Sequence, residues 1–156
     1  GHTGQRDVIG IAWCLACLPA LSAGHVDARD HPSPGAGAAA FILMERALVR
    51  GFDDICGDTF CEGDYSNLRA LQLRCAVTGG EGRVTRCLWS FVGSQAWVEG
   101  DRPIPEVDAR TWACALPVTP GTPLSLLLST WSTRDALDTP LPGSAASPYE
   151  ALTDCL

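Results

Sequence analysis

The chain has 156 residues and a formal net charge of −7 at pH 7, and arginine is its only strongly basic residue type. An acidic chain repels phosphate backbones, so we expect no nucleic-acid partner. The absence of lysine excludes Schiff-base chemistry and a phosphate-binding Walker lysine. The three histidines, His2, His25 and His31, precede the predicted folded domain, so we expect no Ser–His or Cys–His pair and no His-ligated zinc there.

An apolar run dominates the N-terminal region. Arg6 supplies a positive charge, and Val8–Ala23 contains no charged residue and ends in small side chains. This pattern is typical of a cleaved signal peptide, and the run is shorter than the about 20 residues that a membrane span needs. A buried apolar helix is the alternative. We therefore predict a signal peptide over residues 1–23, a secreted or periplasmic protein, and no membrane span in the mature chain.

The next segment, residues 24–40, consists largely of Gly, Pro and Ala and has few large side chains. Such a composition cannot bury a core, so the segment is predicted to be a flexible linker. The remaining residues, 41–156, are then a single folded domain, since their number is typical of one domain.

Periodic patterns predict the elements of this domain in turn. Residues 41–55 are expected to form a helix, because apolar side chains recur there every three or four positions. Alternation predicts strands over 68–78 and 83–92 around a Gly-rich turn, and a third strand over 107–118. Residues 95–99 either prolong the second strand or form a short strand of their own.

Two further helices are predicted towards the C-terminus. Leucines from Leu124 onwards follow helical spacing up to Trp131. Near the end of the chain, Ser147 is placed to be an N-cap, Pro148 the first helical residue and Glu150 part of a capping box. The order of helix, antiparallel strands and helices predicts an α+β fold, with a meander sheet packed against N- and C-terminal helices.

Hairpin formation about the Gly-rich turn would place apolar residues opposite one another in one well-specified register. The predicted opposite pairs are Leu71–Phe91, Leu73–Trp89, Cys75–Cys87 and Val77–Thr85. This register predicts a Cys75–Cys87 disulfide, because directly opposite residues lie within bonding range.

Six cysteines fall in the predicted domain, and an even set in an exported protein predicts up to three disulfides. They are Cys56, Cys61, Cys75, Cys87, Cys114 and Cys155. Beyond the hairpin pair, we expect Cys114 to bond Cys155 or Cys61, with Cys56 taking the one that is left. A short Cys56–Cys61 loop is not excluded.

An acidic turn follows the first helix, and Asp58, Glu62 and Asp64 are its candidate functional residues. One interpretation is a Ca²⁺ loop or a pair of catalytic carboxylates, but the spacing does not match an EF-hand. The favoured interpretation is structural: cysteines and glycines hold the turn, and Asp58 and Asp64 cap backbone N–H groups. We therefore predict no metal and no catalytic residue.

A resemblance rests on CGDTFCEGDYSN at 56–67, the cysteine pair of the hairpin and YEALTDCL at 149–156. Together these resemble a group of uncharacterised secreted bacterial proteins that share a CGDT-aromatic-CEGD turn. The resemblance implies an exported, disulfide-bonded domain and carries no activity with it.

We therefore expect a non-catalytic, exported binding or envelope accessory protein. Its partner would be an unidentified protein or small ligand, and it needs no cofactor. One alternative is a hydrolase that uses carboxylates of residues 53–64. Another is an inhibitor of a secreted enzyme, with Gly79–Gly82 or Gly100–Pro105 as the contact loop.

Overall fold

The longest helix, α1, spans Ala38–Cys56 in the computed structural model, which describes residues 24–156. Its apolar stripe, which includes Phe41, Leu48 and Phe52, is fully buried. The helix predicted over 41–55 is confirmed and gains its first three residues from the alanine run before it. The predicted signal peptide lies outside the described residues.

Within the described residues, five antiparallel strands form one sheet beneath this helix. They are β1 (His25–Asp27), β2 (Arg69–Thr78), β3 (Arg83–Trp97), β4 (Glu106–Ala115) and β5 (Thr122–Pro123). The strand order is β1-β2-β3-β4, and β5 pairs with the beginning of β3 on the side where β4 lies. β3 is therefore the central strand, and the predicted α+β meander is confirmed.

Two shorter helices, α2 (Leu124–Trp131) and α3 (Pro148–Cys155), complete the layer on the same side. The Ser147 hydroxyl accepts a hydrogen bond from the Glu150 N–H at 3.3 Å, so the predicted N-cap is confirmed. Buried side chains of the three helices and of β2–β4 form one apolar core, with Trp89 and Trp131 among its largest members. No helix among residues 24–156 combines the length and apolar character that crossing a bilayer requires.

The β2–β3 register confirms half of the predicted pairs. Leu73 lies opposite Trp89 and Cys75 opposite Cys87, whereas Phe91 faces Ala70. Two β-bulges cause the difference, because Leu71 on β2 is an extra residue with no opposite partner and the second bulge lies further along the hairpin. Leu71 is consequently exposed instead of packing on Phe91.

The second bulge leaves Thr85 as the extra residue on β3. Val77 therefore pairs with Val84, whereas strict alternation predicted that it would pair with Thr85. The bulge buries Val84 beside Val77 in the core. It also lets the Thr85 hydroxyl donate to the Ala76 carbonyl at 3.2 Å.

Three disulfides link the elements of residues 24–156. Cys75–Cys87 crosses the hairpin as predicted, with the Cα atoms 4.1 Å apart. Cys114–Cys155 ties β4 to the end of α3, and Cys56–Cys61 closes the turn after α1. Of the alternatives that the sequence left open, Cys114 has taken Cys155.

The flexible linker predicted over residues 24–40 is wrong. Val26 pairs with Val77 in the sheet, and Ala28 is buried. Arg29 donates hydrogen bonds to the Leu73 carbonyl at 3.0 Å and to a Glu45 carboxylate oxygen at 3.1 Å.

The composition of this segment gives no sign that it packs on the folded domain. Small residues bury little surface by themselves, but the Arg29 guanidinium lies over the Phe41 ring, with its carbon 4.4 Å from the ring centroid. The folded unit therefore includes β1 and the 3₁₀ turn at Ala28–Asp30, upstream of the predicted boundary at residue 41.

Candidate functional site

The acidic turn after α1 is held by its backbone and by a disulfide. The Thr59 hydroxyl donates to the Ile55 carbonyl at 2.7 Å, and the Asp58 N–H donates to the same carbonyl at 3.0 Å. The Cys56–Cys61 disulfide closes the loop over these bonds. The disulfide and the local hydrogen bonds thus hold the backbone of the turn.

The three candidate carboxylates of this turn, Asp58, Glu62 and Asp64, are exposed. No described residue donates a hydrogen bond to them, so the predicted capping roles of Asp58 and Asp64 are wrong. Residues 24–156 contain no group of three or more acidic, histidine or cysteine side chains that could hold a metal ion. Exposed, unsupported carboxylates lack the positioning that acid–base catalysis requires.

A groove of about 410 Å³ lies between this turn and α3. Phe60 forms its floor and packs on Tyr149, with the ring centroids 5.6 Å apart. Its other lining residues are Thr59, Gly63, Thr153 and Leu156. No carboxylate lines the groove, so it does not provide the pair of converging acids that a hydrolase would need.

A polar cluster lies where the segment after the turn meets β4. The Tyr65 hydroxyl donates to the Asp108 carboxylate at 2.5 Å, and the Tyr65 ring packs edge-on against Trp112. This hydrogen bond raises the pKa of Tyr65 above its ordinary value, and desolvation and the charge of Asp108 act in the same direction. The Arg110 guanidinium lies over the Trp112 ring, 5.2 Å from its centroid.

The expectation that no histidine belongs to the folded unit is also wrong. His31 packs against Gly82, which has φ +65°, and shares a shallow pocket with Glu81 and Ser125. No hydrogen bond joins these three side chains within residues 24–156, and Glu81 is paired with Arg83 at 2.8 Å. The pocket therefore lacks the linked nucleophile, base and orienting acid of a catalytic triad.

The outer halves of β3 and β4 form a two-stranded ribbon, residues 93–110. Pairing of β2 with β3 ends at Val92, but β3 and β4 remain paired for five further positions, to Trp97 opposite Glu106. At about 3.3 Å per residue, the ribbon extends roughly 17 Å beyond the last pair of β2.

The base of the ribbon is fixed to the body. The Asn67 side chain accepts a hydrogen bond from the Ser94 N–H at 2.6 Å and donates one to the Ser94 hydroxyl at 2.7 Å. Gly93 lies against Leu68 and Tyr65, where an added Cβ would come within 2.8 Å of the leucine. The ribbon is therefore a supported projection and not a loose loop.

Its tip, residues 98–105, carries apolar side chains in water. Val98 is 61% exposed and Ile104 75% exposed, and Val107 beside them on β4 is 69% exposed. The Trp97 indole N–H donates to Glu99 at 3.1 Å. A concentration of exposed apolar residues at one end of a protein is typical of an interaction surface.

The outer edge of β4 presents free backbone groups along the ribbon. The Leu116 N–H donates to the Cys87 carbonyl, and the Ser94 N–H points away from β4 towards Asn67. By the alternation of antiparallel ladders, even-numbered β4 residues bond β3, and the N–H and C=O groups of Val107, Ala109 and Thr111 point outwards. No hydrogen bond from another part of residues 24–156 reaches these outward groups.

Of the two loops that sequence predicted as contacts, the structure brings only one to a projecting position. Gly100–Pro105 lies in the ribbon tip, whereas the Gly79–Gly82 turn is tied to the body by a hydrogen bond from the Leu124 N–H to the Gly82 carbonyl. Sequence reasoning missed the flanking Val98 and the exposed edge of β4. The Ile104 side chain between two prolines was the available signal.

A scan against protein-family models, a search of curated proteins and a search of solved structures each found no match to this chain.

Proposed function

We propose that this protein is an exported, non-catalytic binding protein whose contact element is the β3–β4 ribbon. The observation that carries the proposal is the ribbon itself, a supported projection that ends in exposed apolar side chains. Three disulfides within residues 24–156 support an oxidising compartment, in keeping with the predicted signal peptide.

Catalysis has less support from the same geometry. The carboxylates around the acidic turn are exposed, and the groove beside the turn is lined by aromatic, Thr and Gly residues without an acid. A hydrolase needs an acid and a base that converge on one substrate position. Asp54 and Asp64 line two other pockets, but each pocket holds only one carboxylate of this segment, so the hydrolase alternative has less support than a binding role.

The inhibitor alternative requires a rigid contact loop, usually held by a neighbouring disulfide. The nearest disulfide along β4 is Cys114–Cys155, which lies at the far end of that strand from the tip. The tip is instead supported through the paired strands behind it. A general binding role therefore fits the ribbon better than the blocking of an enzyme cleft.

The test compares tip variants with matched surface variants. Val98→Ser with Ile104→Ser removes apolar surface from the tip, and Leu43→Ser with Leu71→Ser removes exposed apolar surface elsewhere. Immobilised protein is incubated with the secreted and envelope fractions of its source, and retained proteins are quantified by mass spectrometry.

We expect one retained partner to be kept by the wild type and by the Leu43/Leu71 control. The tip variant should lose it by about tenfold or more, because two fully desolvated aliphatic contacts correspond to a loss of that size. Equal retention by the tip variant, or a selective loss in the control, would refute the ribbon as the contact element.

A further inference from the structure

The outer edge of β4 is complementary to itself in one register. We infer that it pairs with β4 of a second copy of this chain, antiparallel, with the two-fold axis at Ala109. The inference rests on the proposed function, because it names a partner for the same ribbon. It would join the two sheets into one continuous sheet.

Backbone geometry supplies the donors and acceptors that this pairing needs. The outward groups belong to Val107, Ala109 and Thr111, as the β3 ladder requires. An axis at Ala109 places Ala109 opposite itself and Val107 opposite Thr111 of the second copy. All three are pairs that exchange both backbone hydrogen bonds, which makes about six such bonds across the axis.

Side chains between these positions supply the register. Asp108 of each copy would lie directly opposite Arg110 of the other, in the closely spaced pairs that bring side chains together. Asp108 bonds Tyr65 through Oδ2, and no described residue bonds its other carboxylate oxygen. The Arg110 guanidinium rests on the Trp112 ring and makes no salt bridge within residues 24–156.

Neighbouring registers lose this complementarity. An axis at Asp108 sets that carboxylate against its own copy, and an axis at Arg110 does the same to the guanidinium. An axis at Val107 sets Glu106 against Asp108, and an axis at Thr111 leaves both charges without an opposite sign. The register at Ala109 is therefore the one in which Asp108 and Arg110 both face an opposite charge and no like charges are opposed, while Glu106 keeps its own-chain partner Arg102.

The face of the ribbon that carries no charges fits the same arrangement. Val107 and Thr111 would meet across the axis on either side of two opposed alanines, so the side chains nearest the axis on this face are small. The pairing would also place a neighbour beside Val107, whose side chain is 69% exposed in the single chain.

Sedimentation velocity on the purified protein, from micromolar to near-millimolar concentration at physiological ionic strength, tests the inference. Ala109→Pro removes an outward N–H without touching the β3 ladder, so it should weaken the dimer about tenfold or more. Ala115→Pro, also outward on β4 but outside the paired segment, is the matched control and should leave the dimer intact. Far-UV circular dichroism verifies that both variants are folded.

Charge reversal tests the register. Asp108→Arg alone and Arg110→Asp alone each create two like-charge pairs and should weaken the dimer by about tenfold, while the double reversal should restore it. A protein that stays monomeric at every concentration overturns the inference, and so does a dimer indifferent to Ala109→Pro. A double reversal that fails to restore the dimer overturns the register.

These outcomes separate the inference from the proposed function. A monomer whose tip still captures a partner, with loss in the Val98/Ile104 variant, overturns the dimer and leaves the ribbon as a contact element. A dimer that depends on Ala109 supports the inference, and the retention experiment with the Val98/Ile104 variant then decides the proposed function by itself. A monomer whose tip variant behaves as the wild type contradicts both.

Discussion

Removal of the Cys114–Cys155 disulfide should destabilise the fold more than removal of the Cys56–Cys61 disulfide. The first closes a loop with a sequence separation of 41 and the second one of 5. The loop-closure relation converts these separations to about 4 kcal/mol and about 2 kcal/mol of unfolding free energy. Cys114 is also fully buried, so its replacement removes packing at the same site.

The measurement is urea unfolding of two double variants, Cys114→Ala with Cys155→Ala and Cys56→Ala with Cys61→Ala, followed by circular dichroism. Both pairs undergo the same chemical change, so their difference reports the loop size together with the packing around Cys114. The first variant should lose about 2 kcal/mol more than the second. Equal losses, or a larger loss in the second variant, would refute the reasoning that α3 is held to the sheet by this bond.

Three further predictions concern the core, the N-terminal segment and the polar cluster. Phe52→Ala should cost about 3–5 kcal/mol and the exposed control Leu43→Ala less than about 0.5 kcal/mol in the same unfolding assay. Glu45→Ala should cost about 1–3 kcal/mol, because it leaves the Leu73 backbone N–H without its acceptor and removes one of the acceptors of the Arg29 guanidinium. An unchanged unfolding midpoint would show that residues 24–30 do not depend on Glu45. Ultraviolet titration should show that Tyr65 ionises above the ordinary tyrosine pKa and that Asp108→Asn lowers its pKa. The stabilisation from the Tyr65–Asp108 hydrogen bond is present below the pKa of Tyr65 in the unfolded state and is lost as the pH rises through its pKa in the folded state. A Tyr65 that titrates identically in both proteins contradicts the assignment.

The parts of the fold that were predicted correctly from the sequence are those that local periodicity specifies. Phe41, Leu48 and Phe52 recur at helical spacing and lie on one buried face of α1. Cys75 and Cys87 lie opposite each other because one tight hairpin joins their strands. Both depend on residues close in sequence, where side-chain period alone specifies the arrangement. The N-cap at Ser147 is equally local.

The failures all involve contacts between distant residues. Alternation cannot show that Leu71 is a bulge, because the extra residue is defined only by its partner strand. Residues 24–40 have the composition of a linker, but Arg29 donates hydrogen bonds to Glu45 and Leu73. No local sequence pattern predicts these contacts.

The exposure of the candidate carboxylates and the projection of the ribbon could not be predicted from sequence patterns either. The cluster of carboxylates near Asp58 is visible in the sequence, but its exposure is decided by how the turn closes. The ribbon exists because β3 is longer than β2 can cover, which is a property of the pairing between strands. Sequence could therefore mark the tip as a loop without showing that it projects.

Amide hydrogen exchange along β4, followed by nuclear magnetic resonance at low and high protein concentration, tests the central claim most directly. If the ribbon is the contact element and its partner is a second copy, protection of Val107, Ala109 and Thr111 should rise with concentration. Asp108 and Arg110, whose N–H groups bond β3, should remain protected throughout. Free exchange of the three outward amides at every concentration would contradict the account.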